Sequence, residues 1–172
     1  MSMQLNSFSQ MLRKPLHWYG VAVVIVVLDQ LSKAWAVAQL SAQLPLVVNA
    51  HFNLVLAYNT GAAFSVLADA GGWQRHLLSG LAIAAAVWLV VMIYQQPQQR
   101  LLCWGLSSIL GGAVGNVIDR IRIGAVVDFL DVHAYGWHWP AFNIADSAIC
   151  IGAALIIWGE LRKSFGKSAQ SH

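Results

Sequence analysis

Four stretches of this chain are long and apolar enough to cross a bilayer, and little else constrains the fold as much. They cover about 16–35, 76–94, 101–118 and 141–159. A spanning helix needs about 20 mostly apolar residues. In hydrocarbon each backbone N–H and C=O must be paired within the segment, so each stretch is expected to be an α-helix. The middle two carry no charged residue, whereas Asp29 and Lys33 interrupt the first and Asp146 the fourth. Only 10% of residues are charged and 58% are apolar, against roughly 25% charged in soluble domains. This excludes a water-soluble globule and leaves one integral membrane domain spanning 1–172. The net charge of +3 sits at the ends of the apolar runs rather than in a stripe, so no nucleic-acid partner is expected. Cys103 and Cys150 lie inside apolar segments without CxxC or Cys/His spacing and read as small buried hydrophobes.

Lys and Arg mark the cytoplasmic side. With the N-terminus inside, the inner segments hold Arg13, Lys14, Arg100, Arg162, Lys163 and Lys167, and the outer loops hold Arg75, Arg120 and Arg122. This predicts both termini in the cytoplasm and outer elements at about 36–75 and 119–140. A competing reading of the first span is a signal peptide, with Leu16 to Leu28 as its apolar run and Ala36-Val37-Ala38 as a cleavage site; the Asp29/Lys33 pair ahead of that site argues against cleavage. In the outer loops, Phe52, Leu54, Leu56 and Tyr58 alternate with period two and precede the turn residues Asn59-Thr60-Gly61 and then AAFSVL. That pattern predicts a short hairpin turning at 59–61. Ala125 to His133 is a second β-branched stretch, and Ala36 to Leu44 reads as interfacial helix. The expected fold is therefore an all-α polytopic membrane protein of four transmembrane helices, with a small outer β-sheet and an interfacial helix or loop.

The polar residues of the spans gather on one side. At 1.5 Å per residue, Asp146 is expected about 7 Å, and Asp29 about 9 Å, below the outer ends of their helices. Asn116 and Asp119 end span three on the same side, with Arg120 beside them, and Asn143 shares the face of Asp146. Ionisable groups inside spans are functional candidates by default. Structural readings stand beside that one. Asp29 and Lys33 form an i,i+4 pair, Asp119 reads as an interfacial salt bridge with Arg120 or Arg122, and Asn116 as an interhelical hydrogen-bonder. Gly111 and Gly115 form a small-xxx-small packing step. Asp131 and His133 read as solvated loop residues, and Tyr135, Trp137 and Trp139 as an interfacial aromatic belt.

No HExxH is present, and a Ser/Lys pair drawn from Ser65 or Ser147 with Lys33 lacks a nucleophile elbow. Two carboxylates sharing a proton fit aspartic peptidase chemistry, with no metal or cofactor required. Five outer carboxylates, Asp29, Asp119, Asp128, Asp131 and Asp146, are available, and spacing does not choose the pair. A transporter or proton channel would use the same groups as a relay, but the inner halves of the spans lack polar steps. A non-catalytic assembly factor would leave the polar layer without a use.

Five blocks bear on that choice: Asp29-Gln-Leu-Ser-Lys33, Tyr58-Asn-Thr-Gly-Ala-Ala-Phe64, Gly111-Gly-Ala-Val-Gly-Asn-Val-Ile-Asp-Arg120, Gly124-Ala-Val-Val-Asp-Phe129 and Phe142-Asn-Ile-Ala-Asp146. In this order relative to four spans, the chain resembles the lipoprotein signal peptidases of bacteria (signal peptidase II) over essentially its whole length. The resemblance implies that Asp128 and Asp146 are a catalytic dyad, and that Asn59, Gly61, Asn116, Arg120 and Asn143 shape the substrate cleft. Asp29, Lys33 and Asp119 would be structural support. It further implies an inner-membrane enzyme with its site facing the periplasm, monomeric and contacting membrane lipids. Such an enzyme would cut prolipoproteins before a diacylglyceryl-modified Cys and be inhibited by globomycin-type peptides.

Overall fold

The computed structural model describes residues 2–61 and 73–168. The expected return strand AAFSVL, Ser65 and the Ala62–Phe64 part of the second block lie outside the described residues. The elements run α1 (Ser2–Gln39), β1 (Leu46–Asn49), β2 (Phe52–Asn59), α2 (Gln74–Gln95), α3 (Arg100–Ile123), β3 (Val126–Ala134), β4 (Trp137–His138) and α4 (Ile144–Ser168). Four helices contain spans by length and hydropathy: Pro15–Gln39, His76–Gln95, Arg100–Ile123 and Ile144–Phe165. The sheet is antiparallel in the order β1-β2-β3-β4. It lies at the end of the bundle where α1 and α3 finish and α4 begins.

α3 is the axis of the bundle. Within its apolar stretch 67% of residues are buried, against 22%, 11% and 17% for α1, α2 and α4. The three outer helices all pack on α3, while α2 and α4 scarcely touch each other. Small residues permit this. Gly111 faces Ala22 and Ile25 of α1, and Gly115 faces Asp29, as the small-xxx-small step predicts. Gly112, one position round, faces α4: a Cβ there would lie 2.3 Å from the Ala145 carbonyl oxygen. Away from the sheet, the core is apolar, with Trp18, Leu89, Ile93, Cys103, Leu106 and Leu110 packed together.

Several local expectations need correction. No separate interfacial helix forms over 36–44, because α1 runs on to Gln39 and is followed by irregular chain. Ala36, in the cleavage-like site, is fully buried in that helix. A hairpin without a sequence expectation turns at Ala50–His51, where Asn49 Oδ1 accepts the His51 N–H at 2.8 Å and Leu46 pairs with Leu54; the return strand of the hairpin expected at 59–61 lies outside the described residues. Asn59 does make a turn, accepting the Gly61 N–H at 3.0 Å, but β2 finds its second partner in β3. α4 begins at Ile144 rather than 141, because Phe142 is held in a β-bridge to Leu130. Asp146 therefore sits in the first turn of its helix, and Asp29 ten residues, about 15 Å, before the end of α1. Cys103 is buried but Cys150 is exposed on α4. The β3–β4 turn puts Tyr135 (φ 52°) and Gly136 (φ 79°) in the left-handed region, as a type I′ hairpin requires. Tyr135, Trp137 and Trp139 are exposed around it.

Gly112→Ala should lower the thermal midpoint in detergent by several degrees, since the added Cβ meets backbone and overpacking costs about 1–3 kcal/mol. Gly80→Ala, with nothing within 4 Å of its Cβ, should hold the midpoint or raise it slightly, since Ala is the better helix former by up to about 1 kcal/mol. Equal midpoints for the two variants would show that the α3–α4 crossing is not tight.

Candidate active site

The polar layer is organised around one buried ammonium. Lys33, 3% exposed, donates to Asp29 Oδ2 at 2.9 Å and Asp119 Oδ2 at 2.8 Å, and to Asn116 Oδ1 at 2.9 Å. Three protons meet three acceptors, so the charge is fully satisfied. Each acceptor then ties in another element. Asp29 Oδ1 accepts the Ala145 N–H at 2.9 Å, capping the first turn of α4. Asp119 Oδ2 accepts the Val127 N–H at 3.2 Å, anchoring β3, and its Oδ1 accepts from Gln30 Nε2 at 2.9 Å.

Two asparagines carry this framework to the remaining carboxylates. Asn116 Nδ2 donates to Asp146 Oδ1 at 2.8 Å. Asn143, fully buried, is the N-cap of α4: its Oδ1 accepts the Asp146 N–H at 2.9 Å. Asn143 Nδ2 donates to Asp128 Oδ1 at 2.7 Å and to the Val127 carbonyl at 3.2 Å. Capping of α4 and placement of Asp128 near Asp146 thus run through one side chain, and Asp146 lies in the first turn of a helix, where the macrodipole favours negative charge. Asn59 also hydrogen-bonds Asp128. Burial first, and then the neighbouring Asp146, push the Asp128 carboxyl up to about 7, against the pull of Asn59, Asn143 and Lys33.

Asp128 and Asp146 open into one cavity of about 620 Å³ between α2 and α4, also lined by Asn59, Asn116, Arg120 and Trp139. Its walls combine these polar groups with Leu78, Ala82, Phe142 and Ile151. Arg120 donates from Nη2 to the Gly61 carbonyl at 3.1 Å, so α3 holds the end of β2 at the cavity rim. No group of three His, Cys, Asp or Glu residues with metal-binding geometry occurs among the described residues.

All ten residues singled out from the sequence therefore meet at the sheet end: Asn59, Gly61, Asn116, Arg120, Asp128, Asn143 and Asp146 around the cavity, and Asp29, Lys33 and Asp119 behind it. Asp119 pairs with Lys33 rather than with Arg120 or Arg122. Asp131 is not solvated. It is buried in β3 and accepts from Asn53 Nδ2 at 2.9 Å and pairs with His138 Nδ1 at 2.8 Å. Burial raises its carboxyl, but the His138 and Asn53 hydrogen bonds outweigh that and hold it below its ordinary range. Sequence reasoning missed Gln30, whose amide bridges Asp29, Asp119 and the Gly115 carbonyl; its place beside Asp29 inside the first block was the available signal.

Fold and site together define a polytopic membrane protein with a carboxylate-bearing cavity at one end of its bundle. The family model described as signal peptidase (SPase) II matches residues 21–162. The lipoprotein signal peptidase of Polynucleobacter necessarius subsp. necessarius (strain STIR1) is 56% identical over 91% of this chain and 96% of that protein. That of Janthinobacterium sp. (strain Marseille) is 54% identical over 86% and 90%. A bacterial membrane enzyme solved by the in meso method at 2.3 Å resolution superposes with a TM-score of 0.78 at 30% identity, covering 88% of this chain and 91% of that one. The chain belongs to the signal peptidase II family.

Lys33→Met should be among the most damaging single changes. It strands Asp29 and Asp119 as buried charges without a cation, a class of change that costs about 3–5 kcal/mol. The check is thermal unfolding of purified protein, where a midpoint within a degree of native would show that Lys33 is not the structural hub.

Proposed function

We propose that this chain is a lipoprotein signal peptidase acting as an aspartic endopeptidase, with Asp128 and Asp146 as the catalytic pair. The observation that carries the reading is that these two carboxylates alone, of the five candidates, line the cavity, while Asp29 and Asp119 are occupied by Lys33 and Asp131 by His138. The name lipoprotein signal peptidase carried by the relatives supports prolipoproteins as the substrate class, and we take the cut to fall before a diacylglyceryl-modified Cys. An opening between α2 and α4 suits a substrate that arrives within the bilayer, and globomycin-type peptides would compete for the same cavity. The sheet end would face the periplasm from the inner membrane, with both termini cytoplasmic. Arg100, Arg162 and Lys163 then fall on the cytoplasmic side, as charge bias requires. The enzyme would act as a monomer among membrane lipids.

In this mechanism the pair holds one proton, because adjacent carboxylates in a buried site do not both ionise near neutrality. The ionised member takes a proton from a water, whose oxygen attacks the scissile carbonyl. The protonated member donates to the carbonyl oxygen and the proton taken from water passes to the leaving nitrogen. Asn143 and Asn116 hold the two carboxylates in place. Asn59, Gly61 and Arg120 shape the rim that receives the extended part of the substrate, and main-chain pairing with the sheet would clamp it. No step needs a metal.

Asp128→Asn and Asp146→Asn should each fold yet lose cleavage of a diacylglyceryl-modified prolipoprotein by several orders of magnitude, with EDTA leaving the native rate intact. A near-native rate in either variant removes that residue from the pair. The native enzyme should also lose kcat/KM along a one-proton limb above about pH 7, where the pair gives up its shared proton. A profile flat to pH 9 would contradict proton sharing. The same upward shift has a stability consequence. A carboxyl whose folded-state pKa is raised favours the folded state at low pH and loses that contribution as pH rises through about 7. Asp128→Asn should therefore match or exceed the native thermal midpoint at pH 8.

A further inference from the structure

The end of the bundle opposite the dyad carries a second built feature. A cavity of about 390 Å³ lies where α3 begins and α4 ends, and is lined by Arg100, Arg162 and Lys163 together with Glu160. It adjoins another of about 480 Å³ that runs between α2 and α4 over α3, walled by Trp88, Met92, Leu102, Leu106 and Ile109. The two share Gln99, Leu102, Ile156, Glu160 and Lys163. A cationic mouth thus leads into an apolar furrow, and the furrow exists because α2 and α4 pack on α3 but scarcely on each other.

The charges at the mouth do not cancel. Three cations face one carboxylate, a surplus of two. Lys163 Nζ is shared between Glu160 Oε1 at 2.7 Å and Gln99 Oε1 at 2.9 Å. Neither Arg100 nor Arg162 takes part in an ion pair among the described residues. The first turn of α3 beside them has no acidic residue and no side-chain cap. Guanidinium groups bind phosphate bidentately, and basic pockets between helices at a membrane surface select anionic headgroups.

We propose that this mouth and furrow form a binding site for an anionic phospholipid, the headgroup phosphate on Arg100, Arg162 and Lys163 and an acyl chain along the α2–α4 furrow. A zwitterionic lipid brings its own cation to the mouth and gains nothing from the surplus charge, so the site discriminates by headgroup. The proposal rests on membrane residence and not on the catalytic reading.

The test is lipid binding to the purified full chain in detergent, read by native mass spectrometry with dioleoyl-phosphatidylglycerol and dioleoyl-phosphatidylcholine. The phosphatidylglycerol complex should form roughly 30-fold more tightly, since a surplus of two charges at about 1 kcal/mol each converts at tenfold per about 1.4 kcal/mol. The variant Arg100→Gln/Arg162→Gln/Lys163→Gln should bring the two lipids to parity, and Glu160→Gln should widen the preference. A thermal midpoint matching that of the native chain confirms the fold of each variant. Ala85→Trp, which fills the furrow from α2, should weaken both lipids. Equal binding of the two lipids by the native chain overturns the proposal, as does an undiminished preference in the triple variant. Displacement of phosphatidylglycerol by equimolar glycerol phosphate also overturns it, because that would make the mouth a phosphate site without use of the furrow.

Discussion

Everything at the sheet end of this protein depends on the Lys33 ammonium. A lone lysine in a helix core is costly to bury, and here its three hydrogen bonds go to α1 itself and to two turns of α3. The acceptors are not passive. Because Asp29 also caps α4 and Asp119 also holds the start of β3, one cation indirectly joins three helices and the sheet. A hydrophobic substitute could fill the space, but it could not direct four elements to converge with the same register. Buried polar networks of this kind specify geometry when every member is satisfied, and this one nearly is.

The charge balance of the network sets Asp128 and Asp146 apart from the other carboxylates. Asp29, Asp119, Asp128 and Asp146 face two cations, Lys33 and Arg120. With all six ionised the site would carry a net charge of −2, and one proton held between Asp128 and Asp146, as proposed, would reduce this to −1. Lys33 contacts Asp29 and Asp119 directly and meets Asp146 only through Asn116. Arg120 spends a donor on the Gly61 carbonyl. The pair near the cavity therefore has amide donors rather than direct cation partners, which leaves proton sharing as the means of lowering its charge. Asparagine suits this position because its amide donates to a carboxylate without neutralising it.

How much of this was legible in the sequence follows from the range of each signal. The spans were legible because hydropathy over about 20 residues is a property of the segment alone. The one-sided polar layer was legible because helix rise converts sequence position to depth. The Asp29–Lys33 pair and the Gly111/Gly115 step are local on a helix face, and both appear as expected. What failed was pairing between distant elements. Asp119 looked tied to Arg120 and Arg122 because they are neighbours in the chain, yet its partners come from α1, almost ninety residues away. Asp131 looked solvated because it falls in an outer loop between spans, but strand register sets it opposite Asn53. The β1–β2 hairpin was missed because its strand β1 is only four residues long and its turn rests on Asn49 alone. The choice of Asp128 with Asp146 among five carboxylates came from resemblance, since nothing in local spacing reports which of them lack a cation.

The same asymmetry bears on what class of protein this is. The half of the bundle away from the sheet is filled by Trp18, Leu89, Ile93, Cys103, Leu106 and Leu110, with no buried Asp, Glu, Lys, Arg or His among the described residues there. A relay carrying protons or ions across the membrane needs charged or hydrated groups at successive depths, whereas below this layer the only polar side chains that α3 buries are two serines, Ser107 and Ser108, among the described residues. A peptidase needs the opposite arrangement: a single layer at the depth of the scissile bond, closed below so that water and protons reach the carboxylates from one side only. The apolar packing of α3 against α1 and α2 supplies that floor. The stability of the lower half and the chemistry of the upper half are therefore two consequences of the same central helix, apolar where it is surrounded and polar where the sheet covers it.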